Sequence, residues 1–173
     1  MIEKIVSGGQ TGVDRAALDV AISLDICRGG WCPKGRIDEV GIIPIKYDEL
    51  VEISGDFIDE KENYNTRTKL NIMDSDGTLV IVPSLPVPYH IQDGTVLTIA
   101  EVEEKGKPFI IIGLNEATED NISKCIEWVH EHDIRELNFA GPRESVCPGI
   151  YDSTFSFLMN LIPSFQNSHS LSI

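Results

Sequence analysis

The stretch SGGQTGVDRAALDVAI, residues 7–22, decides the fold because it joins a short apolar strand to a helix through a glycine-rich turn. Ile2, Ile5 and Val6 precede the turn and indicate the strand. After Gly12, apolar residues recur every three or four positions through Leu24, as on one face of an amphipathic helix. Such a turn suits an anion, since the backbone N–H groups and the dipole of the helix N-terminus favour negative charge.

Strand-like and helix-like patterns alternate along the rest of the chain. Strands are predicted at residues 78–82, 109–114 and 136–141, and helices at 63–75, 94–105, from 118 onward and near 150–161. Residues 26–60 are rich in turn formers and predict one short strand within ordered loop. The alternation predicts an α/β fold, with a parallel sheet of about five strands and helices on both faces. A single Rossmann-like domain is expected over residues 1–162, followed by a frayed C-terminal tail at 163–173.

The length, charge and composition of the chain limit the classes of function that it can have. A chain of 173 residues fits one domain, and its net charge of −14 argues against nucleic acid or an anionic membrane as a partner. There is no apolar run of the roughly 20 residues needed to span a bilayer and no signal-peptide pattern, so we expect a cytoplasmic protein. The four cysteines form no CxxC pair, and we expect no metal site.

The few basic residues lie in or beside turn-rich segments: Arg15, Lys34, Arg36, Arg67 and Arg143. A local cationic pocket on an acidic protein is what a small phosphorylated ligand needs. For any one of these residues, a solvated surface charge is the competing interpretation. Their shared placement favours a pocket.

The loops at residues 7–12, 83–95 and 141–145 should meet at one edge of the sheet, because ligands of open parallel sheets bind outside the carboxyl ends of the strands. The turn at 7–12 alone matches no standard phosphate motif, and its glycines could serve geometry only. Trp31 could stack on a ring of the ligand or cover an edge of the core. The candidate ligand-binding residues are Ser7, Gly8, Gly9, Gln10, Thr11, Gly12, Arg15, Trp31, Lys34, Arg36, Arg67, Asn71, Gly94, Thr95 and Arg143.

Five blocks of sequence stand out along the chain: SGGQTGVDRAALDVAI (7–22), GGWCPKGR (29–36), YNTRTKLNIMDSDGTL (64–79), DGTVLT (93–98) with a following KP, and AGPRES with PGIY (140–151). Together they resemble the molybdenum carrier proteins, a family of Rossmann-like cytosolic proteins. The family is related to the algal molybdenum-cofactor carrier and, more distantly, to lysine-decarboxylase-like phosphoribohydrolases. In those enzymes an arginine on the helix corresponding to 63–75 faces the ligand, which favours a binding role for Arg67.

The resemblance implies a carrier for a phosphorylated small molecule, either the molybdenum cofactor (molybdopterin) or a nucleotide. It also implies a homo-oligomer, a dimer or tetramer. The alternative is a nucleotide-processing, phosphoribohydrolase-like enzyme. Two departures bear on this choice: Asp93 replaces the first glycine of the family's GGT, and Thr98 stands where the phosphoribohydrolases carry their acid–base glutamate. We therefore expect a binding protein and leave the catalytic residues of the enzyme alternative unassigned.

Overall fold

The computed structural model describes residues 1–91, 94–116 and 118–167. The strands are β1 (Lys4–Val6), β2 (Cys27–Cys32), β3 (Ile37–Asp38), β4 (Gly41–Ile42), β5 (Leu50–Glu52), β6 (Gly77–Val82), β7 (Phe109–Gly113) and β8 (Glu136–Ala140). The α-helices are α1 (Val13–Ser23), α2 (Glu60–Met73), α3 (Gly94–Lys105), α4 (Thr118–Glu131) and α5 (Ile150–Asn167). Within these ranges the fold is α/β, as predicted.

Six strands form one parallel sheet in the order β5–β2–β1–β8–β6–β7. Helices α1, α4 and α5 pack together on one face, and α2 packs with α3 on the other. The main core lies beneath the first group, where Ile5, Leu79 and Phe139 of the sheet meet apolar side chains of the three helices. This is the Rossmann-like arrangement that the alternating pattern predicts.

Residues 26–60 contain more regular structure than predicted. Both β2 and β5 belong to the main sheet, and β3 and β4 form a separate antiparallel pair, hereafter the hairpin (residues 37–42). The sheet therefore has six strands instead of about five. Two glycines interrupt the apolar pattern of β2, and β5 is a short edge strand, so neither shows the continuous apolar run that marks a buried strand.

Helix α5 continues beyond the predicted end of the domain. Pro163 lies inside the helix, which extends to Asn167, so the predicted tail does not begin at residue 163. Leu158, Leu161 and Phe165 are fully or almost fully buried, and their spacing carries the apolar stripe past the proline. Burial of that stripe holds the helix despite the hydrogen bond that proline removes. Residues 168–173 lie outside the described part of the chain.

The parallel sheet fixes where the candidate loops lie. Because β1, β6 and β8 run in the same direction, the chain leaves all three at the same edge. The loops that begin at Ser7, Pro83 and Gly141 therefore share the carboxyl edge, as predicted. Strands β1 and β8 are neighbours, so the first and last of these loops lie side by side.

Candidate functional site

The turn after β1 is held by its own side chains. Ser7 Oγ donates to the carbonyl of Asp14 at 3.0 Å, and the Gln10 N–H donates to a carboxylate oxygen of Asp14 at 3.3 Å. Gly12, with φ of 75°, is the N-cap of α1. The Asp14 carboxylate thus folds back under the turn instead of facing solvent, and only 3% of the residue is exposed.

Two glycines of this turn are required by close approach within the protein. A Cβ on Gly8 would lie 1.8 Å from Nη1 of Arg67, because the guanidinium lies directly over the turn. A Cβ on Gly12 would lie 2.4 Å from the carbonyl oxygen of Pro142. Both glycines therefore let other chain segments reach the turn. Close packing within the protein is therefore enough to explain why Gly8 and Gly12 are glycines, without a ligand.

A crevice opens between the loops after β1 and β8, with α2 and α3 closing it. Its lining, among the described residues, is Gln10, Asp14, Arg67, Thr68, Asn71, Ile91, Thr95, Thr98, Asn138, Phe139, Ala140, Gly141, Pro142, Arg143 and Val146. The water-accessible space is about 60 Å³, several times what one water needs. That space suits a group of the size of a tetrahedral oxyanion better than a ring system.

An ion pair forms the floor of the crevice. Nη1 of Arg67 lies 3.1 Å from Oδ2 of Asp14, and both side chains are largely buried. Burial raises the pKa of Asp14 above its ordinary value, and the charge of Arg67 opposes that rise. Asp14 and Arg67 face each other across the turn at Gly8, so the pair ties α2 to the start of α1.

Two buried donors at the crevice have no hydrogen-bond partner among the described residues: Nε2 of Gln10 and Nε of Arg67. The Oε1 of Gln10 accepts from the N–H groups of Thr11 and Glu39, which fixes the amide so that Nε2 is its free end. Burial raises the pKa of Tyr64, and the nearby Gln10 amide opposes that rise. Nε2 of Gln10 nevertheless forms no hydrogen bond with the Tyr64 hydroxyl. A buried donor left unpaired costs about 1–3 kcal/mol, so an incoming acceptor would be favoured.

A wider groove adjoins the crevice on the side of the hairpin. It has a volume of about 680 Å³ and is lined by Thr11, Gly12, Arg15, Glu39, Val40, Glu144, Ser145 and Tyr151. Residues Thr11 and Glu144 of the groove directly follow Gln10 and Arg143 of the crevice in the chain. The two spaces therefore share the same pair of loops.

The structure brings five of the predicted residues together in the crevice: Gln10, Arg67, Asn71, Thr95 and Arg143. The amide of Asn71 is already used, since Oδ1 accepts from the Trp31 N–H at 2.7 Å and Nδ2 donates to the Trp31 carbonyl at 3.0 Å. Arg143 lies at the rim, with its guanidinium carbon 5.8 Å from the centre of the Tyr64 ring.

Three other predicted residues line the groove instead: Thr11, Gly12 and Arg15. Nη2 of Arg15 lies 2.5 Å from Oδ2 of the buried Asp38 and also donates to the Gly9 carbonyl. Ser7 is fully buried beneath the turn. Gly94 is the first residue of α3, whereas its neighbour Asp93 lies outside the described residues.

Trp31, Lys34 and Arg36 do not lie in the crevice or the groove. The indole N–H of Trp31 donates to Asp74 at 2.7 Å, at the end of α2. Nζ of Lys34 donates to the Gly55 carbonyl at 2.6 Å and is half exposed. The expectation that these residues gather round one ligand with Arg67 is therefore not met.

Arg36 has a structural role that its residue type does not reveal. Its two terminal nitrogens donate to the carbonyls of Leu50, at 2.7 Å, and Tyr47, at 2.8 Å. Through these two hydrogen bonds the guanidinium joins the start of the hairpin to the edge of the sheet. Both terminal nitrogens of Arg36 therefore have partners within the chain.

The list of candidate residues drawn from the sequence omitted several polar residues at the site. Asn138 and Thr98 line the crevice, and Asp14 forms its floor. Glu39 lies on the hairpin and borders the groove. An asparagine within the apolar run ELNFAG was a usable signal for Asn138, since a buried polar side chain in a strand needs a partner, here Thr78. Nothing in the sequence marked Glu39.

The carboxylates at the crevice bear on the enzyme alternative. Asp14 is the one acidic side chain among the described residues that line the crevice. Glu101, one helical turn beyond Thr98, lies outside that lining and pairs with Lys69 at 3.0 Å.

In the described ranges no group of three or more His, Cys, Asp or Glu could hold a metal ion. No helix in these ranges is long and apolar enough to cross a membrane.

Comparison with known proteins agrees with the resemblance in the sequence. The model of the circularly permutated YpsA SLOG family matches residues 5–162. The chain belongs to this family. The match spans β1 to most of α5, so it includes every loop that builds the crevice and the groove.

One solved structure resembles the chain along nearly its whole length. It is the crystal structure of a provisionally named molybdenum carrier protein from Syntrophus aciditrophicus. The two are 41% identical, with a TM-score of 0.81, and the alignment covers 95% of this chain and 94% of that one. No curated protein matches the chain. The predicted resemblance to molybdenum carriers and the Rossmann-like fold are both confirmed.

Proposed function

We propose that this protein is a carrier that binds a phosphorylated small molecule, with the phosphate in the crevice between the loops after β1 and β8. One observation carries the proposal: Gln10 Nε2 and Arg67 Nε are buried donors without partners, and both residues line the same small crevice. An oxyanion offers several acceptor atoms at once, and hydrogen bonds to a charged acceptor are stronger than those to a neutral one.

The size of the two spaces supports a particular orientation of the ligand. The crevice has room for an oxyanion but not for a pterin or a purine ring. The adjoining groove, with its apolar wall at Val40 and Tyr151, offers the larger volume that a ring system needs. The ligand would place its phosphate over Arg67 and its ring along the hairpin.

The neighbour from Syntrophus aciditrophicus supports the molybdenum cofactor as the ligand, because its provisional name is that of a molybdenum carrier. A nucleotide is the second candidate, since it presents the same phosphate and a ring of similar size. The groups at the crevice act on the phosphate, which both ligands share. The ring contacts in the groove would distinguish them.

Native mass spectrometry of the protein purified from its own cells tests this proposal. We expect a co-purified ligand whose mass identifies a phosphorylated pterin or nucleotide. Arg67→Ala should lose it, whereas the matched control Arg135→Ala should retain it, because Arg135 is exposed and its carboxylate partners among the described residues are exposed as well. Retention of the same ligand by Arg67→Ala would contradict the proposed site.

A further inference from the structure

Glu39 at the turn of the hairpin places its carboxylate among donors from two other loops. One oxygen accepts from the Thr11 hydroxyl and, at 3.1 Å, from the Ser145 N–H. The other oxygen accepts from the Ser145 hydroxyl and lies 3.9 Å from Nε of Arg143. The Glu39 side chain is only 11% exposed. Thr11, Arg143 and Ser145 are hereafter the cage.

The cage has the chemistry of an oxyanion site. Two hydroxyls, one backbone N–H and one guanidinium converge on a single charged group, which is how proteins hold phosphate and carboxylate. Burial raises the pKa of Glu39, but the hydrogen bonds from Ser145 and Thr11 outweigh it, so the pKa is lowered and the carboxylate is charged. The chain thus fills this site with an anion of its own.

The cage lies where the crevice and the groove meet. Arg143 lines the crevice, whereas Thr11 and Ser145 line the groove. The Glu39 N–H donates to Oε1 of Gln10, whose Nε2 is the unpaired donor of the crevice. A ligand that spans both spaces must therefore pass Glu39.

The hairpin does not depend on Glu39 for its shape. Oδ1 of Asp38 accepts from the N–H groups of Val40 and Gly41, both at 2.8 Å, and closes the turn. The other oxygen of Asp38 pairs with Arg15, which anchors the hairpin to α1. The Glu39 side chain can leave the cage while these contacts keep the hairpin folded.

We infer that the cage is a second oxyanion subsite, which Glu39 occupies in the free protein and vacates for the second phosphate of a diphosphate ligand. The inference rests on the proposed function, because the first phosphate is the one in the crevice. It narrows the ligand class to molecules with two linked phosphates, such as a nucleoside diphosphate, and so favours the nucleotide over molybdopterin, which carries a single phosphate. Glu39 then acts as a built-in competitor that favours ligands able to fill both subsites.

Calorimetric titration with inorganic phosphate and inorganic pyrophosphate tests the subsite. Glu39→Ala removes the competitor, and Glu127→Ala removes one exposed charge from α4 as a matched control. We expect Glu39→Ala to bind pyrophosphate at least tenfold more tightly than wild type and to bind a second inorganic phosphate. Glu127→Ala should match wild type. Adding Ser145→Ala to Glu39→Ala should abolish the gain, since the cage loses its hydroxyl.

The outcomes separate the two proposals. If Glu39→Ala binds pyrophosphate no more tightly than Glu127→Ala while phosphate binding still requires Arg67, the second subsite is refuted and the crevice stands. If the single variant Arg67→Ala binds inorganic phosphate as tightly as wild type, the proposed anion site in the crevice is refuted. A gain in Glu39→Ala that persists after Ser145→Ala also refutes the cage. Thermal unfolding of each variant checks that the fold is retained.

Discussion

Arg67 in the crevice and Arg36 in the segment GGWCPKGR (29–36) are both partly buried cations, and both belong to sequence blocks that carry the family resemblance. Arg36 gives its two terminal nitrogens to backbone carbonyls, whereas Arg67 faces a buried carboxylate and keeps one donor unpaired. The first arrangement is complete without a ligand, and the second is not. Under the proposed function, the partners of a buried cation, more than its residue type, separate a structural role from a binding role.

Arg36→Ala should have the largest effect of the variants compared here, and the effect should be a loss of stability. Two carbonyls lose a charged donor, and each such hydrogen bond contributes about 1.5–3 kcal/mol, so we expect the free energy of unfolding to fall by about 3 kcal/mol. Urea denaturation measures the loss. Inorganic phosphate should bind the folded variant as it binds wild type. A large loss of affinity with intact stability would place Arg36 in the binding site and contradict the assignment.

Gln10→Glu tests the binding role that the comparison assigns to the crevice. The new carboxylate keeps one oxygen for the N–H groups of Thr11 and Glu39 but replaces the free donor at the crevice with a negative charge. We expect affinity for inorganic phosphate to fall about 10- to 100-fold, which corresponds to about 1.4–2.8 kcal/mol. Gln166→Glu, on the exposed side of α5, is the charge-matched control. Equal effects of the two changes would show that overall charge, not the crevice, is being measured.

The stability of Arg67→Ala should depend on pH more steeply than that of wild type. Burial raises the pKa of Asp14 in the folded state, so the folded protein binds more protons, and stability is lost as pH rises from the ordinary value of 3.8 through the folded value. Removing Arg67 takes away the charge that opposes this rise and extends the loss to higher pH. Each further unit costs about 1.4 kcal/mol. Denaturation from mildly acidic to mildly alkaline pH measures the slope; parallel curves would contradict the buried pairing.

Lys34→Ala should have the smallest effect. Its ammonium is half exposed and its contacts are to the Gly55 carbonyl and an exposed Asp56. We expect a change in the free energy of unfolding of about 1 kcal/mol or less and no change in phosphate affinity. Denaturation and titration of this variant beside Arg36→Ala compare two cations of one segment. A clear loss of phosphate binding would restore the segment to the site.

The elements that bury apolar runs or stripes were predicted most closely from the sequence. The runs at β6, β7 and β8 and the stripe of α1 were found within one or two residues. Strand β5 was missed because its three residues pair at an edge within turn-rich sequence. The stripe of α5 passed through Pro163 because burial of Phe165 outweighs the local preference.

The site could be predicted only in part. The order of strands and turns correctly placed the loops after β1 and β8 at one edge. Arg67 was chosen because an arginine on the corresponding helix of the related phosphoribohydrolases faces the ligand. The destinations of Trp31 and Arg36 depend on contacts with Asp74, Tyr47 and Leu50 that no local pattern encodes. Cytoplasmic location, the homo-oligomer and the chemical identity of the ligand stay predictions.

The central claim is that Arg67 holds an anion in a built crevice, and calorimetric titration of Arg67→Ala and Arg135→Ala with inorganic phosphate, at low and high salt, tests it most directly. Arg67→Ala should weaken binding by about 1.5–3 kcal/mol, the range for a hydrogen bond to a charged group, and Arg135→Ala should leave it unchanged. The difference should persist at high salt, because a local contact in a partly desolvated crevice is screened less than a long-range field. Equal losses in the two variants, or a difference that salt removes, would contradict the claim.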